Sequence, residues 1–283
     1  MSENSVLVDY HKLTSPDGSD RNDRIASLVI NKTQTANAFS GDILTALSDK
    51  LTEISQDESL RLLFFQSEGK HFSAGADLKW MQESAEKSHQ ENIDEAHKLT
   101  MMFRAIEKMP IPTIALVKGA AYGGAVGIAA ACDYCFATED ARFCLSETRI
   151  GLLPAVILPY LQKKLPLGQL KRWTLSAQII SSSDALQNGL VQRVVANDEM
   201  EELLKIEVAH LLSASPEAQK RYKLLQKNLE VASPEQYSRL CEEAIADARA
   251  SDSGKAGLAA FFAKSKPQWT AELAEGERIF RAF

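Results

Sequence analysis

The chain contains 283 residues, of which 45% are hydrophobic and 25% charged, and its formal net charge is −6 at pH 7. This composition is typical of a soluble globular protein, and a negative charge without a basic stripe excludes a nucleic-acid surface. No apolar run approaches the roughly 20 residues of a membrane span, the N-terminus lacks the parts of a signal peptide, and four unevenly spaced cysteines favour reduced thiols; we therefore expect a cytoplasmic protein.

Strand-like apolar runs alternate with helical patterns along the first two thirds of the chain. The predicted strands are 25–30, 60–65, 113–117 and 134–137, and the predicted helices between them are 42–54 and 92–109. Such alternation predicts an α/β fold with parallel strand pairing. After residue 195 the strands stop, and three helices open with Asp or Pro at residues 198, 216 and 234. We therefore divide the chain into an α/β core, 1–197, and a helical region, 198–283.

A glycine-rich segment, "KGAAYGGAVGIAAACD" at 118–133, follows the predicted strand 113–117 and leads into a helix of small residues. Without a Cβ, such a turn lets backbone N–H groups approach a ligand closely, and the helix N-terminus favours a negative oxygen. The spacing is not that of a dinucleotide or Walker loop. A second small-residue turn, "GKHFSAGADLKWM", follows the strand at 60–65, and together the two turns could bind one oxyanion.

Glu147 lies in an apolar stretch, "RFCLSETRIGLLP". Burial disfavours the charged form of a carboxyl group, so these surroundings are expected to raise its pKa. A pKa closer to neutrality suits a group that accepts and returns a proton. From the residues alone, an exposed acid in a turn is the simpler interpretation of Glu147.

The two turns resemble the oxyanion-hole segments of the crotonase family, the enoyl-CoA hydratases and isomerases. The resemblance extends to "NKTQTANAFS", "SETRIGLLPA", "SSSDALQNGLVQRVV" and "LAAFFAKSKPQW", so that it covers roughly residues 24–270. It implies a crotonase-type ββα spiral with two sheets and a C-terminal helical trimerisation region, in trimers that often pair into hexamers. It also implies an acyl-CoA thioester substrate, whose CoA is part of the substrate, with no metal and no separate cofactor.

Carried over residue by residue, the resemblance assigns the oxyanion hole to the backbone N–H groups of Ala76 and Gly124, and proton transfer to Glu147. Phe261 and Lys264 match positions that reach CoA bound to a neighbouring subunit. Residues at positions where family members contact CoA are Ala36, Ala38, Ala74, Asp77 and Leu78.

The sequence departs from the two-acid hydratase pattern. Gly127 stands where hydratases carry a second glutamate, and Ala155 where dienoyl-CoA isomerases carry an aspartate. The small residues around Gly127 predict extra room in the acyl pocket. Two activities stay open: hydration of a 2-enoyl-CoA, and isomerisation of a 3-enoyl-CoA with Glu147 as the only base. A non-catalytic CoA-binding relative is a third alternative.

A narrower resemblance favours hydration. "FSAGADLKWM", "ENIDEAHKL" and "FCLSETRIGLLPAVI" are similar to the bacterial methylglutaconyl-CoA hydratase group, which also has glycine at the second-acid position. This resemblance implies 3-methylglutaconyl-CoA, in leucine and isovalerate breakdown, as the substrate. Its acyl carboxylate would need a cation, for which Arg149 and Lys79 lie nearest in sequence, although both are more simply interpreted as solvated charges.

Three further features are given structural interpretations. Cys132 and Cys135 invite a zinc or redox hypothesis, but with only Cys144 nearby they are better interpreted as buried thiols. His71 is expected to shape the first oxyanion loop. Asp133 is expected to cap or brace the helix that follows the glycine turn.

Overall fold

The computed structural model describes residues 5–282, and in that part of the chain two sheets carry all the strands. The larger sheet has the order β10-β1-β2-β3-β4-β6-β9 and the smaller has the order β5-β7-β8. The strands are β1 Val6–Thr14, β2 Asp20–Ile30, β3 Leu60–Ser67, β4 Thr113–Val117, β5 Ala120–Tyr122, β6 Tyr134–Thr138, β7 Arg142–Cys144, β8 Ile180–Ser181, β9 Arg193–Val195 and β10 Glu272–Leu273.

Parallel pairing joins β2, β3, β4, β6 and β9, whereas β1 pairs antiparallel with β2 and with β10. In the smaller sheet β5 and β7 are parallel, and β8 is antiparallel to β7. The α-helices are α1 Gly41–Gln56, α2 Leu78–Ala85, α3 His89–Glu107, α4 Gly124–Ala131, α5 Leu158–Lys164, α6 Leu167–Ser176, α7 Ser182–Gln187, α8 Met200–Ser213, α9 Pro216–Val231, α10 Pro234–Ala250 and α11 Asp252–Phe262.

The large sheet is covered on both faces, which explains why β3 is buried along its whole length. Leu63 and Phe65 of β3 pack into the core under α1 and α3. Leu62 and Phe64, which point to the opposite face, pack into a second core against α8. The helix α8 contributes its buried stripe of Met200, Leu204, Val208 and Leu212 to this second core.

The predicted α/β fold with a helical C-terminal region is confirmed. All four predicted strands and their parallel pairing are present, and α1 and α3 cover the predicted helices. The prediction missed β1, several short elements and α11, so that the C-terminal region has four helices, α8 to α11, where three were expected. Among residues 5–282 no helix is both long and apolar enough to cross a bilayer.

After the last helix the chain returns to the large sheet. The strand β10 pairs with the end of β1, and the Gln66 side chain donates to Ile279 O at 2.8 Å while accepting from Arg281 N at 3.0 Å. Residues beyond 270 therefore pack on the α/β core. The division at residue 197, and the trimerisation role of the helical region, stay predictions.

Candidate active site

The first oxyanion segment in chain order, within "GKHFSAGADLKWM", pairs with the chain that precedes α1. Phe39 N donates to Gly75 O at 2.7 Å, and Asp77 N donates to Phe39 O at 2.8 Å. Because these flanking groups of Gly75 and Asp77 face Phe39, the intervening Ala76 amide faces the opposite side. The second segment, which is the glycine-rich one, lies on that side, because Ser73 of the first segment forms a β-bridge with Ala121 of β5.

The second predicted segment leads from β5 through Gly123 into α4. Gly123 has φ +53°, a left-handed conformation that favours glycine, and its N–H donates to Cys144 O at 2.9 Å. This turn places the Gly124 amide at the N-terminus of α4, the positive end of the helix dipole. A Cβ at Gly124 would lie 3.3 Å from the Phe39 ring, so Phe39 contacts both segments.

Both predicted oxyanion amides are available to a ligand. Within residues 5–282, neither the Ala76 N–H nor the Gly124 N–H donates a hydrogen bond to a protein acceptor. Ala76 is exposed and Gly124 is half-buried. Two free amides on facing segments are the arrangement that binds a developing negative oxygen.

Glu147 begins a 3₁₀ helix, Glu147–Ile150, that directly follows the loop after β7. Its Oε1 would lie 3.1 Å from a Cβ placed on Gly123, which puts the carboxylate beside the residue that precedes the Gly124 amide. The Oε2 atom is buried and has no hydrogen-bond partner among the described residues. Burial is the main reason that the pKa of Glu147 is raised above its ordinary value of 4.5.

Gly127 does not open extra room, and the expectation of a larger acyl pocket there is wrong. A Cβ at Gly127 would lie 2.3 Å from Ile157 Cγ2 and 2.9 Å from Phe103 Cε1. Both side chains are buried and fill the space above this turn of α4. The position at which the family resemblance predicts a second acid in hydratases is therefore closed by an apolar wall, formed by Ile157 and Phe103.

The five residues predicted to contact CoA lie on the first segment, on the start of α2 that follows it, and on the chain before α1 that pairs with it. Ala74 N donates to Ala36 O at 2.9 Å, and Ala38 precedes Phe39, which binds Gly75 and Asp77. The Asp77 side chain caps α2, accepting from Lys79 N at 2.9 Å and Trp80 N at 3.2 Å. Leu78, the first residue of α2, is 75% exposed.

Phe261 and Lys264 lie away from this cluster in the chain fold. Phe261 lies in the last turn of α11 and Lys264 lies two residues after that helix, which packs against α9 and α10. Phe261 is 75% exposed, and Lys264 adopts a left-handed conformation with φ +54°. Within one subunit they are not part of the site around Glu147.

Neither cation considered for an acyl carboxylate is directed towards Glu147. The Lys79 side chain is 85% exposed and lies 3.8 Å from Glu83 on the same helix. Arg149 Nη2 donates to Ala177 O, at the end of α6, at 2.5 Å. Their interpretation as surface charges agrees with these positions.

Sequence reasoning missed the side chain that ties the first segment together. Asn37 is buried, with its Oδ1 accepting from Lys32 N and its Nδ2 donating to the carbonyls of Glu68 and His71, each at 2.8 Å. Its φ of +57° is one that asparagine tolerates better than most residues. The motif "TANAF" was the available signal, but the partners lie 31 and 34 residues away.

The residues given structural interpretations have structural contacts. His71 Nδ1 accepts from Ala120 N at 3.1 Å, so it joins the two oxyanion segments. Asp133 accepts from Thr113 N at 2.8 Å and from Lys223 at 2.5 Å, which braces β4 and α9 instead of the helix α4. Cys132 and Cys135 are buried free thiols, and no cluster of residues that could hold a metal occurs within 5–282.

Comparisons with known proteins place this geometry among acyl-CoA enzymes. A family model described as enoyl-CoA hydratase/isomerase matches residues 20–272. The crystal structure of an enoyl-CoA hydratase from Shewanella pealeana aligns with a TM-score of 0.83 and 34% identity, covering 87% of this chain and 92% of that one. A crotonyl-CoA hydratase from Syntrophomonas wolfei is 32% identical over 183 residues, 64% of this chain and 69% of its own. A trans-2-decenoyl-(acyl-carrier-protein) isomerase from Streptococcus mutans is 24% identical over 248 residues, 87% and 94% of the two chains.

Proposed function

This chain belongs to the enoyl-CoA hydratase/isomerase family, and we propose that it reversibly hydrates a 2-enoyl-CoA, with 3-methylglutaconyl-CoA of leucine and isovalerate breakdown as its substrate. The observation that carries this proposal is the Glu147 carboxylate, half-buried and with one oxygen unpaired among residues 5–282, beside the free amide of Gly124. The similarity to two named hydratases supports hydration as the reaction.

In the proposed reaction the Ala76 and Gly124 N–H groups hold the thioester carbonyl oxygen. Glu147 takes a proton from water while the water oxygen bonds to C3, and the electrons of the C2=C3 bond move onto the thioester as an enolate. The two amides stabilise this negative oxygen. Glu147 then returns the proton to C2. One carboxyl group serves both carbons, so the addition is expected to be syn.

The substrate side of the proposal uses the other predicted residues. Ala36, Ala38, Ala74, Asp77 and Leu78 line the surface along which CoA would lie. We further propose that the chain forms trimers or hexamers in which Phe261 and Lys264 approach CoA bound to a neighbouring subunit. The chemistry assigned to Glu147 requires no metal and no cofactor beyond the CoA of the substrate.

One observation favours a second candidate function, the isomerisation of a 3-enoyl-CoA. The apolar wall of Ile157 and Phe103 leaves no polar group at Gly127 to hold a water molecule. An isomerase needs only one base, which removes a proton from C2 and returns one to C4 as the double bond shifts. Glu147 and the two amides would serve this reaction equally well, and one relative is an isomerase.

The two functions are separated by offering purified protein 3-methylglutaconyl-CoA and a 3-enoyl-CoA and following product mass. Gain of one water on the first thioester supports hydration, whereas isomerisation of the second without added water supports the alternative. Glu147→Gln is expected to lower either turnover by about 10²- to 10⁴-fold while CoA affinity is retained.

Glu83→Gln, a change at an exposed acid of α2, is the matched control and should keep wild-type activity. Near-wild-type activity of Glu147→Gln would overturn the assigned role. Thermal stabilisation by acyl-CoA with no turnover of either thioester would instead identify a non-catalytic CoA-binding protein.

A further inference from the structure

A cavity of about 460 Å³ opens beside the apolar wall. It lies between α3, the segment that follows the Glu147 3₁₀ helix, and α5. Its lining includes Thr100 and Arg104 of α3, Ala155 and Val156 of the segment, and Tyr160 of α5. Ala155 lies eight residues after Glu147 in the chain, on the segment between the 3₁₀ helix and α5.

The apolar wall lies next to both the cavity and the turn of α4 beside Glu147. Gly123, beside Glu147 Oε1, and Gly127, against the wall, are four residues apart, about one turn along α4. Each wall residue is followed or preceded in sequence by a residue that lines the cavity: Arg104 follows Phe103, and Val156 precedes Ile157. The Phe103 ring also packs on Tyr160, with centroids 5.6 Å apart. The cavity therefore lies next to the wall, between α3 and α5.

The charges around the cavity leave the Arg104 guanidinium available. Glu107 lines the cavity, but its carboxylate is 2.7 Å from Lys163, which also binds Glu230 at 2.6 Å. Arg104 is exposed and lies one turn before Glu107 on α3. It forms no ion pair or side-chain hydrogen bond with any residue of 5–282. Burial and Glu107 raise the pKa of the Tyr160 phenol, whereas Arg104 and Lys163 lower it, so both cations act on the same hydroxyl.

We propose that the acyl chain of a dicarboxylic enoyl-CoA runs along the wall into this cavity, and that Arg104 determines substrate specificity by binding its distal carboxylate. This inference rests on the proposed function and deepens it, because it assigns the acyl carboxylate to Arg104, which lines a cavity, instead of to Arg149 or Lys79. A guanidinium can hold a carboxylate with two parallel N–H donors, which an ammonium group cannot. The Tyr160 hydroxyl lines the same cavity and can donate a further hydrogen bond.

The test compares 3-methylglutaconyl-CoA with 3-methylcrotonyl-CoA, which lacks only the distal carboxylate. Arg104→Leu is expected to lower kcat/KM for the dicarboxylic thioester by about 10- to 100-fold, the value of a hydrogen bond to a charged group. For the uncharged thioester the change should be less than about threefold. Arg104→Lys should retain part of the preference, since charge persists without the bidentate geometry.

Lys98→Leu removes one positive charge from another part of α3 and is the matched control; it should leave the ratio of the two kcat/KM values unchanged. If Arg104→Leu lowers both values equally, or neither, the specificity role is wrong while the proposed hydratase stands. If the wild-type protein turns over neither thioester, the proposed function fails. Calorimetric binding of glutaryl-CoA against butyryl-CoA then tests Arg104 alone: loss of a glutaryl preference in Arg104→Leu supports the role, and an unchanged ratio of affinities overturns it.

Discussion

Gly127→Ala is the substitution that tests the apolar wall most directly. The added methyl group would overlap Ile157 Cγ2 at 2.3 Å and approach Ile157 Cβ and Phe103 Cε1 to 2.9 Å. Ile157 is branched at Cβ, so no rotation of a flexible end relieves these contacts, and the segment before α5 has to move. Overpacking of this kind costs about 1–3 kcal/mol, which corresponds to a Tm lower by about 2–8 °C for a chain of this size.

A double-mutant cycle turns this expectation into a test of the contact itself. Ile157→Ala alone should destabilise by about 2–5 kcal/mol, because it leaves a cavity. In the double variant the methyl group added at position 127 enters the space that the isoleucine side chain vacates, so the two costs should not add, and a coupling of about 0.5–3 kcal/mol is expected. The free energies of unfolding are measured by urea denaturation.

Gly168→Ala is the matched control for the glycine substitution. Gly168 is an exposed helical residue of α6, and nothing lies within 4 Å of its Cβ position. Alanine should there be neutral or stabilise by up to about 1 kcal/mol. A Gly127→Ala variant with the wild-type Tm, or strictly additive costs in the cycle, would refute the argument that the second-acid position is closed.

Four further predictions concern the site and the thiols. In the proposed reaction the carboxylate is the active form of Glu147, and burial raises its pKa, so kcat/KM should fall on acidification with a midpoint above 4.5. A profile flat down to 4.5 would contradict this. Because the folded protein raises the pKa of Glu147, ionisation of this carboxyl group lowers stability as the pH rises through that pKa. The Tm gain of Glu147→Gln should therefore be absent well below pH 4.5 and appear above the raised pKa. An equal gain at all pH values would contradict this prediction. Gly123→Ala introduces backbone strain at φ +53° and a methyl group 3.1 Å from Glu147 Oε1, so kcat should fall about 10²-fold. Gly168→Ala is the control, and an unchanged kcat in Gly123→Ala would disprove that contact. In the native protein a thiol reagent should react rapidly with the exposed Cys241. Cys132 and Cys135 should react only after unfolding, because both are buried and burial raises their pKa values, to about 12 for Cys135. Rapid labelling of either thiol, measured by peptide mass, would be evidence against their burial.

The secondary structure followed from the sequence where one hydrophobic pattern decided it. The run at 60–65 is apolar throughout because β3 is buried on both faces, and the stripe at 44, 47, 51 and 54 lies on one side of α1. The edge strand β10 was missed, since its pairing with β1 joins residues that lie more than 250 positions apart in the chain. No local pattern contains such a contact.

The candidate site divides in the same way. The family motifs placed Ala76, Gly124 and Glu147 on loops after strands, and the structure brings their segments together, although their catalytic roles stay predictions. The space around Gly127 was predicted wrongly, because a glycine in a sequence does not show what fills the volume that its missing side chain leaves. Ile157 and Phe103 reach that volume from 30 residues after it and 24 residues before it.

By itself, the sequence determined the central strands, the long helices, the glycine turns and the isolated acid, because these depend on local periodicity and on residue chemistry. Only the tertiary structure decided which groups are free and which spaces are closed. The free amides of Ala76 and Gly124 result from the pairing of distant segments. The partners of Lys163, and hence the availability of Arg104, depend on side chains from three helices meeting at one place. Pairing and burial are properties of the whole packed chain, since each is settled by atoms that are distant in sequence.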